Sequence, residues 1–344
     1  MSAPTELTAP AATGKRLAAL FLGIAVSVAL LWWAMRGLRP ADVLQHLRAA
    51  PPLPIILAVL VATLTFPLRA LRWRLLLREP DGAPLRGSAA WHGITIGYTG
   101  NNLLPFRAGE VLRAYAASRL APVRMSSSFA SVAVERVFDA LTVVASFALA
   151  LLASGMPATV RIGGLALPDV ARRVGILAAV VFIVATVVLT RTEASARFIS
   201  RVIPWPSVAD KIVALLRGIR DGLSALRSPS RLVAVVLWSI AIWAVNALSF
   251  QMLFPAFDMP VGFSGAVIVQ SAIVFGIAVP SSPGFVGVFE AAIVVALALY
   301  GIPQDRALAY ALTYHAATFL PITVLGLYSA YKTGLGWRGV RAET

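Results

Sequence analysis

Six stretches of mostly apolar residues run along the chain, at 17–35, 53–71, 127–154, 173–190, 232–253 and 305–331. A helix of about 20 apolar residues is long enough to cross the hydrocarbon core of a bilayer. Only 13% of the residues are charged, which is about half the usual share in a soluble domain. The sequence therefore predicts an all-α polytopic membrane protein with about six full spans, in which residues 1–344 form a single integral membrane domain.

Two further apolar regions, 88–120 and 262–300, are interrupted by polar residues and prolines. Asn101, Asn102 and Pro105 break the first region, and the sequence PSSPG at 280–284 breaks the second. Irregular backbone at membrane depth is tolerated only where protein or a water-filled cavity satisfies its polar groups. We therefore predict two re-entrant broken-helix segments, each of which enters and leaves the membrane by the same side.

The two broken regions match at a constant spacing. Pro105 and Pro283 are 178 residues apart (283 − 105), and so are Gly109 and Gly287 (287 − 109). A long span follows each break. This pattern predicts an inverted repeat with halves 53–154 and 231–332, and interrupted helices at matching places in two halves indicate a transporter's binding site. Chance is the alternative explanation for two matched positions.

The basic residues lie between the apolar runs and predict the orientation. The connection 191–231 carries eight Lys or Arg, and the loop after the second span is interpreted as carrying five arginines: Arg69, Arg72, Arg74, Arg78 and Arg86. Because positive loops favour the cytoplasm, both termini and both connections are predicted on the cytoplasmic side of the membrane. Residues 155–171 and 255–261 are then outside.

The charge also bears on partners. A net charge of +15 suits anionic lipid headgroups better than nucleic acid, because no long segment is both basic and soluble. Residues 204–227 combine an apolar stripe with basic residues off that stripe. This pattern predicts a helix lying on the cytoplasmic membrane face.

Each break places proline where a new helix is expected to start. A helix start presents free N–H groups and a positive dipole end, which together bind anions such as a lipid phosphate. Arg107 and Arg113 would add full charges at the first break. The alternative is a re-entrant turn that only completes the packing. The candidate substrate-binding residues at the breaks are Asn101, Asn102, Pro105, Arg107, Gly109, Glu110, Arg113, Ser282, Pro283, Gly284 and Gly287.

Charged and titratable residues inside the predicted spans complete the set of candidates. Glu135, Arg136 and Asp139 lie within the span 127–154, and Glu290 and His315 lie in apolar sequence of the second half. Charges inside a span are costly, so they usually face a cavity and pair. A headgroup or proton site is one interpretation. A self-neutralising cluster that pairs with Arg113 or Arg107 is the other, and for His315 the alternative is a packing role.

Other chemistry has no candidate residues. The chain has no cysteine, which excludes disulfides and thiolate nucleophiles. No His-rich metal pattern and no phosphate-binding glycine loop with lysine is present. We predict no catalytic residue, no metal and no cofactor.

Four motifs resemble the flippase-like integral membrane family of the lysylphosphatidylglycerol synthase transmembrane region. They are GYTGNNLLPFRAGEVLRAY, SSSFASVAVERVFDAL, VFGIAVPSSPGFVGVFEAAI and ALTYHAATFLP, and they cover about 97–140 and 274–321. The resemblance implies a bacterial or archaeal inner-membrane protein with a role in lipid or glycolipid translocation. Full synthases of this family add a soluble aminoacyl-transferase domain. That domain is not expected after Thr344, so aminoacylation of phosphatidylglycerol is not expected either.

Three functions follow from these observations. The leading interpretation is a flippase that moves an anionic phospholipid or glycolipid headgroup through a polar cavity between the two re-entrant segments. A membrane enzyme acting on a lipid-linked sugar or phosphate is the second, with Glu110, Glu135 and Asp139 as acid and base. An accessory subunit of a glycolipid synthesis complex is the third. A homo-oligomer or a lipid-synthesis enzyme are the partners to be expected.

Overall fold

The computed structural model describes residues 12–156, 192–210, 228–278 and 281–335, together with scattered positions within 161–180 and 212–213. The predicted span 173–190 lies almost entirely outside the described residues. So does most of the predicted interfacial helix, beyond residue 213.

The described chain is almost entirely helical, as predicted. The two short strands β1 (Arg161–Ile162) and β2 (Leu165–Ala166) form one antiparallel pair. The helices are α1 (Ala12–Met35), α2 (Pro40–Ala49), α3 (Pro52–Leu76), α4 (Gly87–Leu103), α5 (Gly109–Leu120), α6 (Met125–Leu152), α7 (Thr192–Val202), α8 (Pro229–Leu253), α9 (Phe263–Gly276), α10 (Val288–Ala298) and α11 (Gln304–Lys332).

Three of the described helices, α3, α8 and α11, are long and apolar enough to cross a membrane. The α1–α2 pair, bent by 85°, adds a fourth if it counts as one span. The helix α6 is 28 residues long, but Glu135, Arg136 and Asp139 near its middle make it less apolar than these. By length and composition, therefore, three or four of the six predicted spans are present.

Both predicted broken regions are broken helices, but each second helix begins later than predicted. The helix α4 continues through Asn101 and Asn102, and α5 begins at Gly109 rather than directly after Pro105. After Pro105, Phe106 and Arg107 adopt left-handed φ angles of 59° and 53°. Residues in this conformation cannot continue a right-handed helix, so the chain must turn before α5 can start.

The second break has the same construction. Ser282 flanks a short 3-10 turn at Pro283–Phe285, in which Gly284 and Phe285 have φ angles of 71° and 60°. The helix α10 then begins at Val288, with Gly287 as its N-cap. Proline was expected at the start of the second helix of this break. Instead, Ser282 and Pro283 start the 3-10 turn, and Gly287 precedes α10.

The helix α3 extends to Leu76, five residues beyond the predicted span. The prediction that Arg69 and Arg72 lie in a cytoplasmic loop is therefore wrong. Both side chains are buried within the helical part of the protein, with 5% and 0% exposure. Carboxylates of Glu135 and Asp139 on another helix compensate the charge of Arg72.

Candidate functional site

A group of charged side chains is buried where α3, α5 and α6 meet. We call it the charge cluster, and its members are Arg69 and Arg72 of α3, Glu110 and Arg113 of α5, and Glu135, Arg136 and Asp139 of α6. Four guanidinium groups thus surround three carboxylates. Glu135 and Asp139 are four residues apart and lie on one face of α6, as predicted from helix periodicity.

Arg113 is held by protein groups on two sides. Its Nη1 and Nη2 donate to Oε1 and Oε2 of Glu135 at 2.7 and 2.8 Å. Its guanidinium lies 3.9 Å from the centroid of the Trp73 ring, and the side chain is fully buried. This geometry favours the compensated cluster over direct phosphate binding as the role of Arg113.

Arg72 connects the two carboxylates of α6. Its Nη1 donates to Oδ1 of Asp139 at 2.7 Å and to Oγ of Ser239 at 2.8 Å, and its Nη2 lies 3.2 Å from Oε1 of Glu135. The Trp243 indole also donates to Oδ1 of Asp139, at 3.0 Å. Through these bonds α8 contributes to the charge cluster as well.

Arg69 and Arg136 share the other oxygen of Asp139. Arg136 Nη2 lies 3.2 Å from Oδ2, whereas Arg69 Nη1 lies 3.8 Å away. Arg136 also pairs with Glu135 at 2.8 Å and with Glu110 at 3.7 Å, and 36% of its side chain is exposed. Arg136 and Glu110 therefore form the open rim of the charge cluster.

The sequence interpretation assigned Arg69 and Arg72 to a loop and so left them out of the candidate site. A signal was present in their spacing. Buried residues of α3 recur every three or four positions, at Ala58, Ala62, Phe66, Arg69, Arg72 and Leu76. The two arginines fall on a stripe that is otherwise apolar, as expected of residues that face the protein interior.

The first break is closed tightly by glycine contacts. A Cβ on Gly109 would overlap the carbonyl oxygen of Gly97 and the side chain of Asn101. Gly109 therefore permits close approach of α5 to α4, rather than of a ligand to the backbone. The Asn101 Oδ1 atom is buried and accepts no hydrogen bond from the described residues, whereas Asn102 donates to Thr323 Oγ1 of α11 at 3.0 Å.

The second break is anchored to α1. Ser27 Oγ accepts a hydrogen bond from the Ser282 backbone N–H at 2.9 Å and donates to Ser282 Oγ at 3.0 Å. Gly287 has φ +86° and packs so closely on the Ser27 carbonyl that a Cβ there would overlap it. A left-handed φ and this close approach both require glycine at the position.

The start of α10 holds a carboxylate from the protein itself. Glu290 Oε2 accepts a hydrogen bond from the Gly287 N–H at 2.6 Å, and Oε1 lies 2.6 Å from His315 Nδ1. His315 also stacks on Phe289, with 4.3 Å between the ring centroids. The anion seat predicted at this helix start is thus occupied by Glu290.

The two breaks touch each other. Arg107 Nη2 of the first break donates to the carbonyl oxygen of Ile277, directly after α9, at 2.9 Å. A Cβ on Gly284 would lie 3.4 Å from the Asn102 carbonyl oxygen and 3.0 Å from the Phe319 ring. We call this contact region the break junction. It brings Asn102 and Arg107 of the first break next to Gly284 and Ile277 of the second, while the charge cluster lies beside the first break.

No group of three or more His, Asp or Glu side chains with the spacing of a metal site occurs within the described ranges.

A family model described as the lysylphosphatidylglycerol synthase TM region matches residues 20–326 of the chain. Two proteins of Methanothermobacter thermautotrophicus, each named UPF0104 membrane protein, are 26% and 25% identical over 334 and 339 residues. These matches cover 93% and 91% of this chain, and 94% and 92% of the relatives. A protein of Haloferax volcanii named glycosyltransferase AglD is 34% identical over 150 residues, which are 44% of this chain but only 23% of that protein.

Proposed function

Because the chain belongs to the lysylphosphatidylglycerol synthase transmembrane family, we propose that it moves an anionic phospholipid or glycolipid across the inner membrane without altering it chemically. The observation that carries the proposal is the break junction. Two helix interruptions from different halves of the chain meet there, next to a group of buried arginines. Broken helices that face each other beside charged groups are the construction from which transporters build substrate sites.

The helix bounds support the inverted repeat on which this proposal depends. The helices α3 and α8 begin 177 residues apart (229 − 52), α4 and α9 176 apart (263 − 87), α5 and α10 179 apart (288 − 109), and α6 and α11 179 apart (304 − 125). Their packing partners also exchange, since α4 packs on α11 and α9 packs on α6. Four helices that recur in order, with exchanged partners, are what a two-fold repeat produces.

The backbone at the breaks gives independent support. Phe106 and Arg107 have left-handed φ angles, and so do Gly284 and Phe285, which are their counterparts at the spacing of 178 (284 − 106 and 285 − 107). For three of these residues the conformation is uncommon, because it places Cβ close to the backbone. The same strained turn at matched positions is poorly explained by chance.

The direction of the helices supports inversion of one half relative to the other. Arg72 of α3 contacts Ser239 of α8, whereas Arg69, one turn earlier, lies over the Trp243 ring, one turn later. Counterpart helices that pack side by side in opposite directions are expected of an inverted repeat. Each break would then open toward a different side of the membrane.

The proposal is tested in vesicles that contain the purified protein and a phosphatidylglycerol labelled on an acyl chain. A membrane-impermeant quencher reports how much label moves from the inner to the outer leaflet, and mass spectrometry reports any chemical change. We expect faster movement than in protein-free vesicles, with the lipid unaltered. Movement no faster than in protein-free vesicles, or conversion of the lipid into a product, would contradict the proposal.

A role beside a glycosyltransferase is a second candidate, and the partial match to a protein named glycosyltransferase supports it. In this role the chain would present or move a lipid-linked sugar for an enzyme that acts on it. Co-purification from native membranes, followed by identification of bound proteins, tests this role. Stable association with a glycosyltransferase is the expected result, and a protein that purifies free of any such enzyme contradicts it.

A further inference from the structure

The buried part of the charge cluster carries more positive than negative charge. Arg69, Arg72 and Arg113 are at least 95% buried, and so are Glu135 and Asp139. The rim adds one charge of each sign, Arg136 and Glu110, and so leaves the balance unchanged. The described residues thus leave one positive charge without a matching negative charge, in a place where an unpaired charge is costly.

Arg69 is the arginine with the weakest pairing. Its nearest carboxylate oxygen is 3.8 Å away, and its buried Nη1 forms no hydrogen bond with any described residue. The rings of Tyr98 and Trp243 lie 5.3 and 5.5 Å from its guanidinium carbon. Aromatic rings can stabilise a guanidinium through its faces, but they leave its N–H groups without acceptors.

Arg136, at the exposed rim of the charge cluster, also has a donor atom without an acceptor. Its Nε atom is buried and has no acceptor among the described residues, although much of its side chain is exposed. Arg69 and Arg136 are neighbours, because both approach Oδ2 of Asp139. Both unpaired donor atoms are buried, so an anion would reach them by entering past the exposed part of Arg136.

We infer that Arg69 and Arg136 bind a monoanionic phosphodiester, the phosphate group of a phospholipid headgroup. The single negative charge of the phosphodiester neutralises the one surplus positive charge of the charge cluster. Phosphate oxygens also suit the planar N–H donors of arginine. The inference rests on the proposed function, and it assigns phosphate binding to Arg69 and Arg136, whereas the sequence indicated Arg107 and Arg113. A lipid and free inorganic phosphate offer the same oxygens, so the test must separate them.

The test measures the affinity of the full chain in detergent for dioctanoyl phosphatidylglycerol. Dioctanoylglycerol, which has the same acyl chains without phosphate, and inorganic phosphate serve as comparison ligands. We expect Arg69→Gln to weaken binding of the phosphatidylglycerol by about ten- to a hundredfold, the usual effect of losing a charge-assisted hydrogen bond. The matched control Arg124→Gln removes an exposed arginine at the start of α6 and should leave the affinity unchanged.

A second variant acts in the opposite direction. Glu110→Gln removes the rim carboxylate and leaves every arginine in place, so binding should become tighter, by several-fold. This variant keeps the inference testable even if Arg69→Gln does not fold. Arg69→Gln should fold, however, because it removes an uncompensated charge, and its melting temperature without lipid should not fall.

Wild-type affinity in folded Arg69→Gln, or no tightening in Glu110→Gln, would overturn the inference. Inorganic phosphate that binds as tightly as the phosphatidylglycerol would overturn the assignment to a lipid. The vesicle assay separates this inference from the proposed function. Binding as expected without any translocation would contradict the function alone, whereas wild-type translocation by Arg69→Gln would contradict the inference alone.

Discussion

Arg72 shows why buried charges persist in so apolar a chain. It contacts Glu135, Asp139 and Ser239, and its side chain is completely buried. Taking such groups out of water costs several kcal/mol for each ion, and only close pairing offsets that cost. The charge cluster therefore holds α3, α6 and α8 together only as long as each buried charge keeps its partners.

We predict that Arg72→Ala destabilises the protein strongly. The substitution removes the 2.7 Å hydrogen-bond partner of Asp139, and breaking such a buried pair typically costs about 3–5 kcal/mol. The thermal midpoint in detergent measures this effect. Arg136→Ala should cost less, because 36% of the Arg136 side chain is exposed, and the exposed Arg124→Ala should cost nothing. Equal midpoints for the Arg72 and Arg124 variants would argue against a compensated cluster.

The partners of the buried arginines could not be read from the sequence. The partners of Arg72 lie 63, 67 and 167 positions further along the chain (135 − 72, 139 − 72, 239 − 72). Hydropathy reports local composition and carries no information about such distant contacts. The two breaks could be predicted, because polar residues and prolines interrupt an apolar run locally. The positions where α5 and α10 begin could not, because two left-handed residues delay each helix start.

The hairpin of α4 and α5 depends on backbone contact. Gly97 packs on Gly109 and on the Cβ of Arg113, and Gly100 packs on Gly109 and Leu112. Small residues allow helices in membranes to approach closely, which strengthens their van der Waals packing. Gly93 likewise packs against the ring of Trp73 on α3. This packing also fixes Arg113 next to Glu135.

We predict that Gly109→Ala loosens this hairpin. The added methyl group would overlap the Gly97 carbonyl, and overpacking of this kind typically costs about 1–3 kcal/mol. Gly87→Ala is the matched control, because Gly87 begins the same hairpin and has open space around it. Melting temperature and resistance to proteolysis should fall for Gly109→Ala alone. A Gly109→Ala protein as stable as the control would mean that the two helices are not in contact.

Contacts at one end of the molecule agree with the prediction that these segments lie on one side of the membrane. His46 pairs with Asp305 at 3.1 Å, Gln304 donates to the Ala34 carbonyl at 2.9 Å, and Arg306 donates to the Asp258 carbonyl at 3.4 Å. The predicted orientation puts the ends of α1, α8 and α10 outside, so these contacts join segments expected on one side. The opposite end would then contain the loop 77–86.

We predict that a single cysteine at Asp258 reacts with an impermeant maleimide in intact cells, whereas a cysteine at Asp81 reacts only after the cells are opened. Both positions are exposed, and the chain has no cysteine of its own, so the background is low. Positions near residue 215 should behave like residue 81. Labelling of the cysteine at position 81 from outside would contradict the predicted orientation, and with it the side of the membrane toward which each break is predicted to open.

We propose that an anionic lipid crosses the membrane at the break junction. The decisive measurement is the initial rate of phosphatidylglycerol translocation in vesicles, compared between the wild type, Arg107→Gln and the matched control Arg124→Gln. Arg107 is exposed and joins the two breaks through Ile277, so its loss should slow translocation about tenfold while the fold is kept. The control should keep the wild-type rate. Equal rates for all three proteins would contradict a crossing site at the break junction, because the lipid would then cross without using it.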